Sequence, residues 1–219
     1  MSASRTRLLA IAAAAGLVAA CQPQSSDTRI SEAPPAESAT PAADPANMTP
    51  PIWLDSASLA GWNTVGMAVP PAPAGLDDAD ARCRETAREA ETAEDELVSA
   101  AGWDLVGAAQ RGWNLAVVTG TAGYDGMCRP AAYQAFVFVD GAFAGTLAPE
   151  PMMSRTDGAL GRVTLQDATN MAAEFTRYAP DDALCCPSRM TTVSYTIQDG
   201  LVHPASASTS STSTEQGRR

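Results

Sequence analysis

The sequence contains no lysine and a single histidine, His203, so its positive charge comes from 14 arginine residues. Without lysine, the chain cannot form a Schiff base through an ε-amino group or hold a phosphate with the lysine of a P-loop. With one histidine, it also lacks the residues from which most zinc sites and acyl-transfer triads are built. We therefore expect a protein that is not an enzyme and that carries no cofactor.

Basic residues are also outnumbered, because 25 aspartate and glutamate residues give the chain a net charge of −11. A surface with this excess of negative charge repels the phosphates of nucleic acids and of anionic lipid headgroups. We therefore expect no nucleic-acid partner.

The first 20 residues have the pattern of a secretory signal peptide. Arg5 and Arg7 precede an apolar run over residues 8–20, which is too short to span a bilayer, and small residues lead to Cys21. In bacterial lipoproteins, which this stretch resembles, that cysteine is lipidated and becomes the first residue of the mature chain. The pattern predicts a protein anchored to the membrane through Cys21. The alternative is an ordinary secreted protein in which Cys21 merely lies near the cleavage point.

The residue after Cys21 bears on the location of the lipid anchor. This position is occupied by Gln22 and not by an aspartate. By resemblance to known lipoprotein sorting, glutamine favours the outer membrane if the host has one. We therefore expect a lipid-anchored, extracytoplasmic protein of the bacterial cell envelope.

Composition divides the rest of the chain into three parts. Residues 21–50 consist almost entirely of small, polar, acidic and proline residues, which cannot build a core and predict a disordered tether. Apolar density then rises, and residues 51–204 are long enough for one domain of ordinary size. Residues 205–219 are rich in serine and threonine without apolar periodicity, which predicts a disordered tail.

The pattern within the domain favours an α+β fold. Over residues 76–101, apolar side chains recur at helical spacings, with Asp77 or Asp78 as the cap and Gly102 as the stop. After Gly102 the period changes to two, and Asp140-Gly141 gives the strongest hairpin signal. We predict an antiparallel β-meander sheet, braced by disulfides, with one long N-terminal helix packed on it.

Four cysteines remain beside Cys21, namely Cys83, Cys128, Cys185 and Cys186. An even number in an oxidising compartment predicts two disulfides, and the sequence leaves three connectivities open. Neighbouring side chains of an extended segment point in opposite directions. We therefore expect Cys185 and Cys186 to bond to Cys83 or Cys128 and not to each other.

A soft-metal or thiol-redox site is the alternative use of these cysteines. Cys128, Cys185 and Cys186, with several methionines nearby in the sequence, offer the thiolates and thioethers that Cu(I) favours. Their spacing matches no diagnostic metal-binding motif, so structural disulfides are the preferred interpretation and we predict no metal site.

Three stretches of the sequence resemble the LppP/LprE family of bacterial lipoproteins. They are Gly126-Met127-Cys128-Arg129-Pro130, the strand from Phe136 to Gly141 with Ala144-Gly145-Thr146-Leu147, and Cys185-Cys186-Pro187-Ser188 before a terminal strand. The resemblance spans about residues 97–201. It implies a lipoprotein signal, a polar spacer and a compact extracytoplasmic domain, and it brings no catalytic activity or cofactor.

Ligand contacts are expected within this region from side chains that can bind carboxylate or phosphate groups. The candidates are Arg129, Arg155, Asp157, Arg177 and Arg189. The alternative is that the arginines pair with acidic residues of the same domain. The sequence thus predicts a non-enzymatic envelope lipoprotein whose domain serves as a binding or interaction module for an unknown protein or small-molecule partner.

Overall fold

The computed structural model describes residues 52–56, 59–74 and 81–212. The predicted signal peptide, Cys21 and the tether lie outside the described residues, as do residues 213–219 of the predicted tail. Within the described ranges, no helix has the length and apolar character needed to cross a membrane.

Nine strands form two antiparallel sheets in the described part of the chain. The strands of the first sheet are β1 (Asp104–Leu105), β2 (Gln110–Gly112), β3 (Leu115–Tyr124), β4 (Pro130–Val139) and β5 (Ala142–Thr146). Their order is β1-β3-β4-β5, with β2 also paired to β3. The second sheet runs β6-β7-β8-β9, with β6 (Ala159–Leu165), β7 (Asn170–Arg177), β8 (Arg189–Gln198) and β9 (Leu201–Ser211).

The main core lies between the two sheets. Alternate residues of β7 and β8 are buried, as the period of two requires when one face is packed and the other is wet. Large side chains from both sheets meet in this core, including Tyr133, Val137, Met171, Phe175 and Tyr195. The domain is therefore a β-sandwich.

A second, smaller core covers the other face of the first sheet. Phe136, Val137 and Phe138 of β4 are all fully buried, which means that both faces of this strand are packed. Phe136 and Phe138 lie with Val118 of β3, with Trp103 and with Val98 of a short helix. β4 lies between β3 and β5 in the first sheet, and the molecule has three layers here.

The predicted fold class is wrong in its helix and in its single sheet. In place of one helix over residues 76–101, the structure has α1 (Ala81–Arg84) and α2 (Ala93–Ala100). Between them the Arg88 N–H donates to Leu105 O at 2.9 Å, so the chain is drawn alongside β1. The helical signal in this stretch rests largely on alanines, which specify a buried face weakly. Thr92 caps α2 by accepting the Asp95 N–H, and the predicted caps Asp77 and Asp78 lie outside the described residues.

The C-terminal strand β9 continues through residues that the sequence places in the disordered tail. It pairs with β8 along its whole length, from Gln198↔Leu201 to Arg189↔Ser211. Val202 is buried, but most side chains after Pro204 are short hydroxyls that face solvent. The strand is held by its backbone ladder, so hydrophobic periodicity does not reveal it.

Two-residue turns connect several of the strands. Asp140 and Gly141 both have positive φ, as a type I′ turn requires, and the predicted hairpin joins β4 to β5. Trp113 and Asn114 connect β2 to β3, and Trp113 has φ 59 with 72% of its surface exposed. Bulky residues rarely adopt this backbone conformation. The turn therefore presents a large aromatic ring to solvent.

Asn63 joins the two sheets at the side where β5 lies near β9. Its side chain is buried, and Nδ2 donates to Thr146 O of β5 at 3.0 Å and to Val202 O of β9 at 2.9 Å. Its Oδ1 accepts the Thr146 N–H at 2.9 Å. Gly145 makes room for this amide, since a Cβ there would collide with Asn63 and φ is +127°. One side chain thus satisfies buried backbone groups of both sheets.

Candidate functional site

A cleft of about 340 Å³ opens at the opposite side of the sandwich, between the two sheets. One wall is formed by the β1–β2 loop, β2 and the inner face of β3 and β4, and the other by β6 and the segment before it. Its volume lies within the range of small-molecule sites, about 300–1,000 Å³. The described residues that line it are Val106, Gly107, Ala108, Gln110, Val117, Thr119, Arg129, Pro130, Tyr133, Ser154, Ala159, Leu160, Gly161 and Val163.

A β-bulge shapes the β6 wall. The register of β6 against β7 shifts between Leu160 and Val163, so that Gly161 and Arg162 together lie opposite one residue, Glu174. Because of the extra residue, Leu160 and Val163 both line the cleft although they are three positions apart. Bulges commonly redirect side chains beside binding sites.

The inner polar groups of the cleft are engaged within the domain. The Tyr133 hydroxyl donates to Gly158 O at 2.6 Å, and Ser154 Oγ donates to Pro130 O at 2.6 Å. Burial raises the pKa of Tyr133 well above its ordinary value, so the hydroxyl stays protonated as a donor. With these groups satisfied, the inner part of the cleft presents mainly aliphatic surface.

Arg129 is the one charged side chain among the described residues that line the cleft. Its Nε donates to Asp125 Oδ2 at 2.6 Å, and the two terminal nitrogens make no hydrogen bond within the described part of the chain. Partial burial tends to raise the pKa of Asp125, but hydrogen bonds from the Arg129 and Met127 N–H groups and from the guanidinium outweigh it and lower the pKa. Asp125 is therefore ionised and orients Arg129.

The β1–β2 loop of the cleft is tied to the helical segment through Arg88. Arg88 Nε donates to Gly107 O at 2.7 Å, while its terminal nitrogens bind the Asp95 carboxylate at 2.8 and 2.6 Å. Asp95 is almost fully buried. The hydrogen bonds from Arg88 lower the pKa of Asp95 from 3.8 to about 2, against the opposing effect of burial. This ion pair holds the loop that carries Gly107 and Ala108.

The stability that Asp95 provides is expected to disappear in acid. Its pKa is about 2 when folded and about 3.8 when unfolded, so the unfolded chain takes up the proton more readily. The contribution, about 2 kcal/mol, is fully present above about pH 5 and is lost as the pH falls through about 2. Asp95→Asn should remove this part of the pH dependence. Urea unfolding of both proteins between about pH 2 and pH 6 measures it, and parallel stability curves would contradict it.

The structure brings only one of the five predicted ligand contacts to the cleft. Arg129 lines it, whereas Arg177 binds both oxygens of Asp55 at 2.6 and 2.8 Å, and Arg189 lies 3.7 Å from Asp55 Oδ1. The Arg177 guanidinium lowers the pKa of Asp55.

The remaining two candidates, Arg155 and Asp157, are engaged in the loop between β5 and β6. The Arg155 guanidinium lies 3.9 Å from the centre of the Tyr178 ring. The Asp157 carboxylate accepts the Met153 N–H at 2.7 Å and the Thr156 hydroxyl at 2.8 Å. Both side chains stabilise the loop that leads into the β6 wall.

The predicted disulfide pairing is wrong, since the bonds are Cys83–Cys128 and Cys185–Cys186. The expectation that Cys185 and Cys186 point apart holds for an extended strand. Here the pair lies in a turn, in which the Cys186 N–H donates to Ala183 O at 2.9 Å. Cys83 is fully buried, and both residues of the second bond are exposed.

These two bonds also bear on the copper alternative. Cys128 is bonded to Cys83, and Cys185 to Cys186, so the three thiolates that this site requires are not free in the oxidised structure. In the described ranges, no group of three or more His, Cys, Asp or Glu side chains is placed to hold a metal ion.

Sequence reasoning missed the walls of the cleft. Val106, Leu160 and Val163 are ordinary strand residues whose meeting depends on how the two sheets stack. One signal was present, because a glycine inside a strand pattern often marks a bulge, and Gly161 has this position.

Two stacked antiparallel sheets, a disulfide that links α1 to the β3–β4 loop and an open edge cleft define the class of this protein, a disulfide-bonded β-sandwich domain. Residues 110–200 match the family model of the LppP/LprE lipoproteins, which confirms the resemblance found in the sequence. The match runs from β2 to the β8–β9 turn and supports an envelope-associated lipoprotein. None of the curated proteins and none of the solved structures matches the chain.

Proposed function

We propose that this envelope lipoprotein binds a small anionic amphiphile in the cleft between its two sheets. The observation that carries the proposal is the combination of an aliphatic cleft with a single cationic side chain, Arg129, in a protein of net charge −11. The aliphatic lining suits an apolar chain or ring system. The terminal nitrogens of Arg129 suit a carboxylate or phosphate at the end of that molecule.

The position of Arg129 supports this assignment. Asp125 engages Nε and leaves the outer edge of the guanidinium for a second anion. An uncharged amphiphile would leave that edge to water, so we expect the anionic form to bind more tightly. Burial of the aliphatic part contributes most of the affinity, and Arg129 contributes the preference for charge.

The test compares dodecanoate with dodecanol as probes on the purified protein, by displacement of the fluorescent dye 1-anilinonaphthalene-8-sulfonate. Ala108→Trp fills the cleft from an exposed loop position and should abolish binding of both probes. Arg129→Gln should weaken the binding of dodecanoate by about tenfold or more, as expected for the loss of a charge-assisted hydrogen bond. The affinity for dodecanol should stay unchanged.

Matched controls separate these effects from general ones. Ala142→Trp adds the same ring at an exposed position of β5, and Arg84→Gln removes the same charge from the exposed surface of α1. Both controls should bind as the unchanged protein does. If Ala108→Trp still binds dodecanoate with full affinity, the cleft is not the binding site.

We also propose that Cys21 carries the lipid anchor, in the outer membrane if the host has one. The apolar run before Cys21 and Gln22 after it support this proposal. Cys21→Ser should move the protein from the membrane fraction to the soluble fraction of the envelope. An unchanged distribution would show that another part of the protein attaches it to the membrane.

A further inference from the structure

The Cys185–Cys186 bond lies at the surface, in the loop between β7 and β8. We infer that this pair is a thiol–disulfide exchange site, which accepts two electrons from a dithiol reductant outside the cytoplasm. The inference does not depend on the cleft, since it rests on the position, the exposure and the small structural role of this bond.

The bond has little to stabilise. A disulfide stabilises a fold mainly by closing a loop in the unfolded chain, and its effect grows with the length of that loop. Cys83–Cys128 closes a loop across a sequence separation of 45, whereas Cys185 and Cys186 are neighbours. A bond between neighbours restrains only its own two residues, so the fold gains little from it.

Hydrogen bonds hold the same loop without the disulfide. Asp182 Oδ2 accepts the N–H groups of Ala179 at 2.6 Å and of Ser188 at 2.8 Å, which closes the base of the loop. The Tyr178 hydroxyl donates to Leu184 O at 2.8 Å, directly before the cysteines. The loop therefore has partners that persist when the disulfide opens, and reduction leaves the sandwich folded.

Both sulfur-bearing residues are accessible to a partner. Cys185 and Cys186 are exposed, and Leu184 beside them has 62% of its surface exposed. Cys83, in contrast, is completely buried, and its partner Cys128 is half-buried. Exchange requires direct attack of a thiolate on a disulfide sulfur, so the bond with two exposed cysteines should react before the bond that offers one half-buried cysteine. Leu184 adds an apolar contact next to the reacting sulfurs.

The exchange proceeds in two balanced steps. A thiolate of the dithiol attacks one sulfur of the pair, a mixed disulfide forms, and the other cysteine leaves as a thiolate that takes up a proton. The second thiol of the reductant loses its proton and attacks the mixed disulfide, which releases the first cysteine as a thiolate that is then protonated. The dithiol is thereby oxidised to a disulfide, and Cys185 and Cys186 are reduced to two thiols.

The test is alkylation of the full chain, purified from an oxidising compartment, after timed exposure to dithiothreitol. Before reduction, we expect no alkylation of the four cysteines discussed here. During reduction, the tryptic peptide of residues 178–189 should gain two alkyl groups at least about tenfold faster than Cys83 and Cys128. Circular dichroism should stay unchanged at the point where only this peptide is labelled.

A double variant supplies the control. Cys185→Ala with Cys186→Ala should leave the circular dichroism spectrum unchanged and should abolish the rapid consumption of one dithiol per chain. Three results would overturn the inference: free thiols at residues 185 and 186 before reduction, equal reduction rates of the two disulfides, or unfolding when residues 185 and 186 are reduced. None of these results bears on amphiphile binding in the cleft.

Discussion

Replacing Cys83 and Cys128 with alanine is expected to lower the free energy of unfolding by about 4 kcal/mol. The bond joins residues at a sequence separation of 45 and links α1 to the loop between β3 and β4. Without it, the unfolded chain regains the freedom of that long loop, and α1 loses its covalent link to the first sheet. Urea unfolding of the double variant, beside the unchanged protein under oxidising conditions, measures the difference.

The second disulfide provides the matched control for this prediction. Cys185→Ala with Cys186→Ala removes the same number of sulfur atoms, but the loop that it reopens is the shortest that a chain can form. We expect a loss of at most about 1 kcal/mol. If the two double variants lose equal stability, loop length does not explain the role of either bond.

Asn63→Ala is expected to lower the free energy of unfolding by about 2–4 kcal/mol. The substitution leaves the Thr146 N–H and the Val202 carbonyl without their partner in a buried position between the sheets, and each unsatisfied group costs about 1–3 kcal/mol. Thr146 O keeps the Trp62 indole N–H as a donor, so it adds little to the loss. Thermal and urea unfolding give the change in stability.

Two further variants sharpen this prediction. Asn63→Asp keeps the shape and the acceptor oxygen but removes the donor to Val202, so it should also destabilise the protein. Thr64→Ala, at the exposed neighbouring position, should change the free energy of unfolding by less than about 0.5 kcal/mol. A stable Asn63→Asp protein would mean that the contact to Val202 is dispensable.

Local patterns in the sequence predict the strands well where the signal is itself local. Asp140-Gly141 specifies its own turn, and the β8 sequence alternates so that Val193 and Tyr195 are buried while their neighbours are less so. The predicted long helix is not observed, because the spacing of apolar residues contains no information about tertiary contacts of the polar residues between them. The pairing of Arg88 with Leu105, and of its guanidinium with Asp95, draws the chain out of a helix, and these contacts depend on tertiary structure.

The cleft and the disulfides depend on contacts that no local pattern contains. Arg129 was predicted as a ligand contact from its chemistry, but the aliphatic wall beside it arises from the stacking of β6 against the first sheet and from the bulge at Gly161. For the cysteines, the prediction assumed an extended segment before β8. Hydrogen bonds to Asp182 and Ala183 make that segment a turn, and this geometry decides the pairing.

The two outer strands of the second sheet influence how copies of the protein meet. β6 is interrupted by its bulge, and β9 contains Pro204, which has no N–H to offer to a neighbouring strand. A regular strand from another molecule cannot pair without interruption along either edge. Copies of the protein at high local concentration are therefore protected from edge-to-edge aggregation through this sheet.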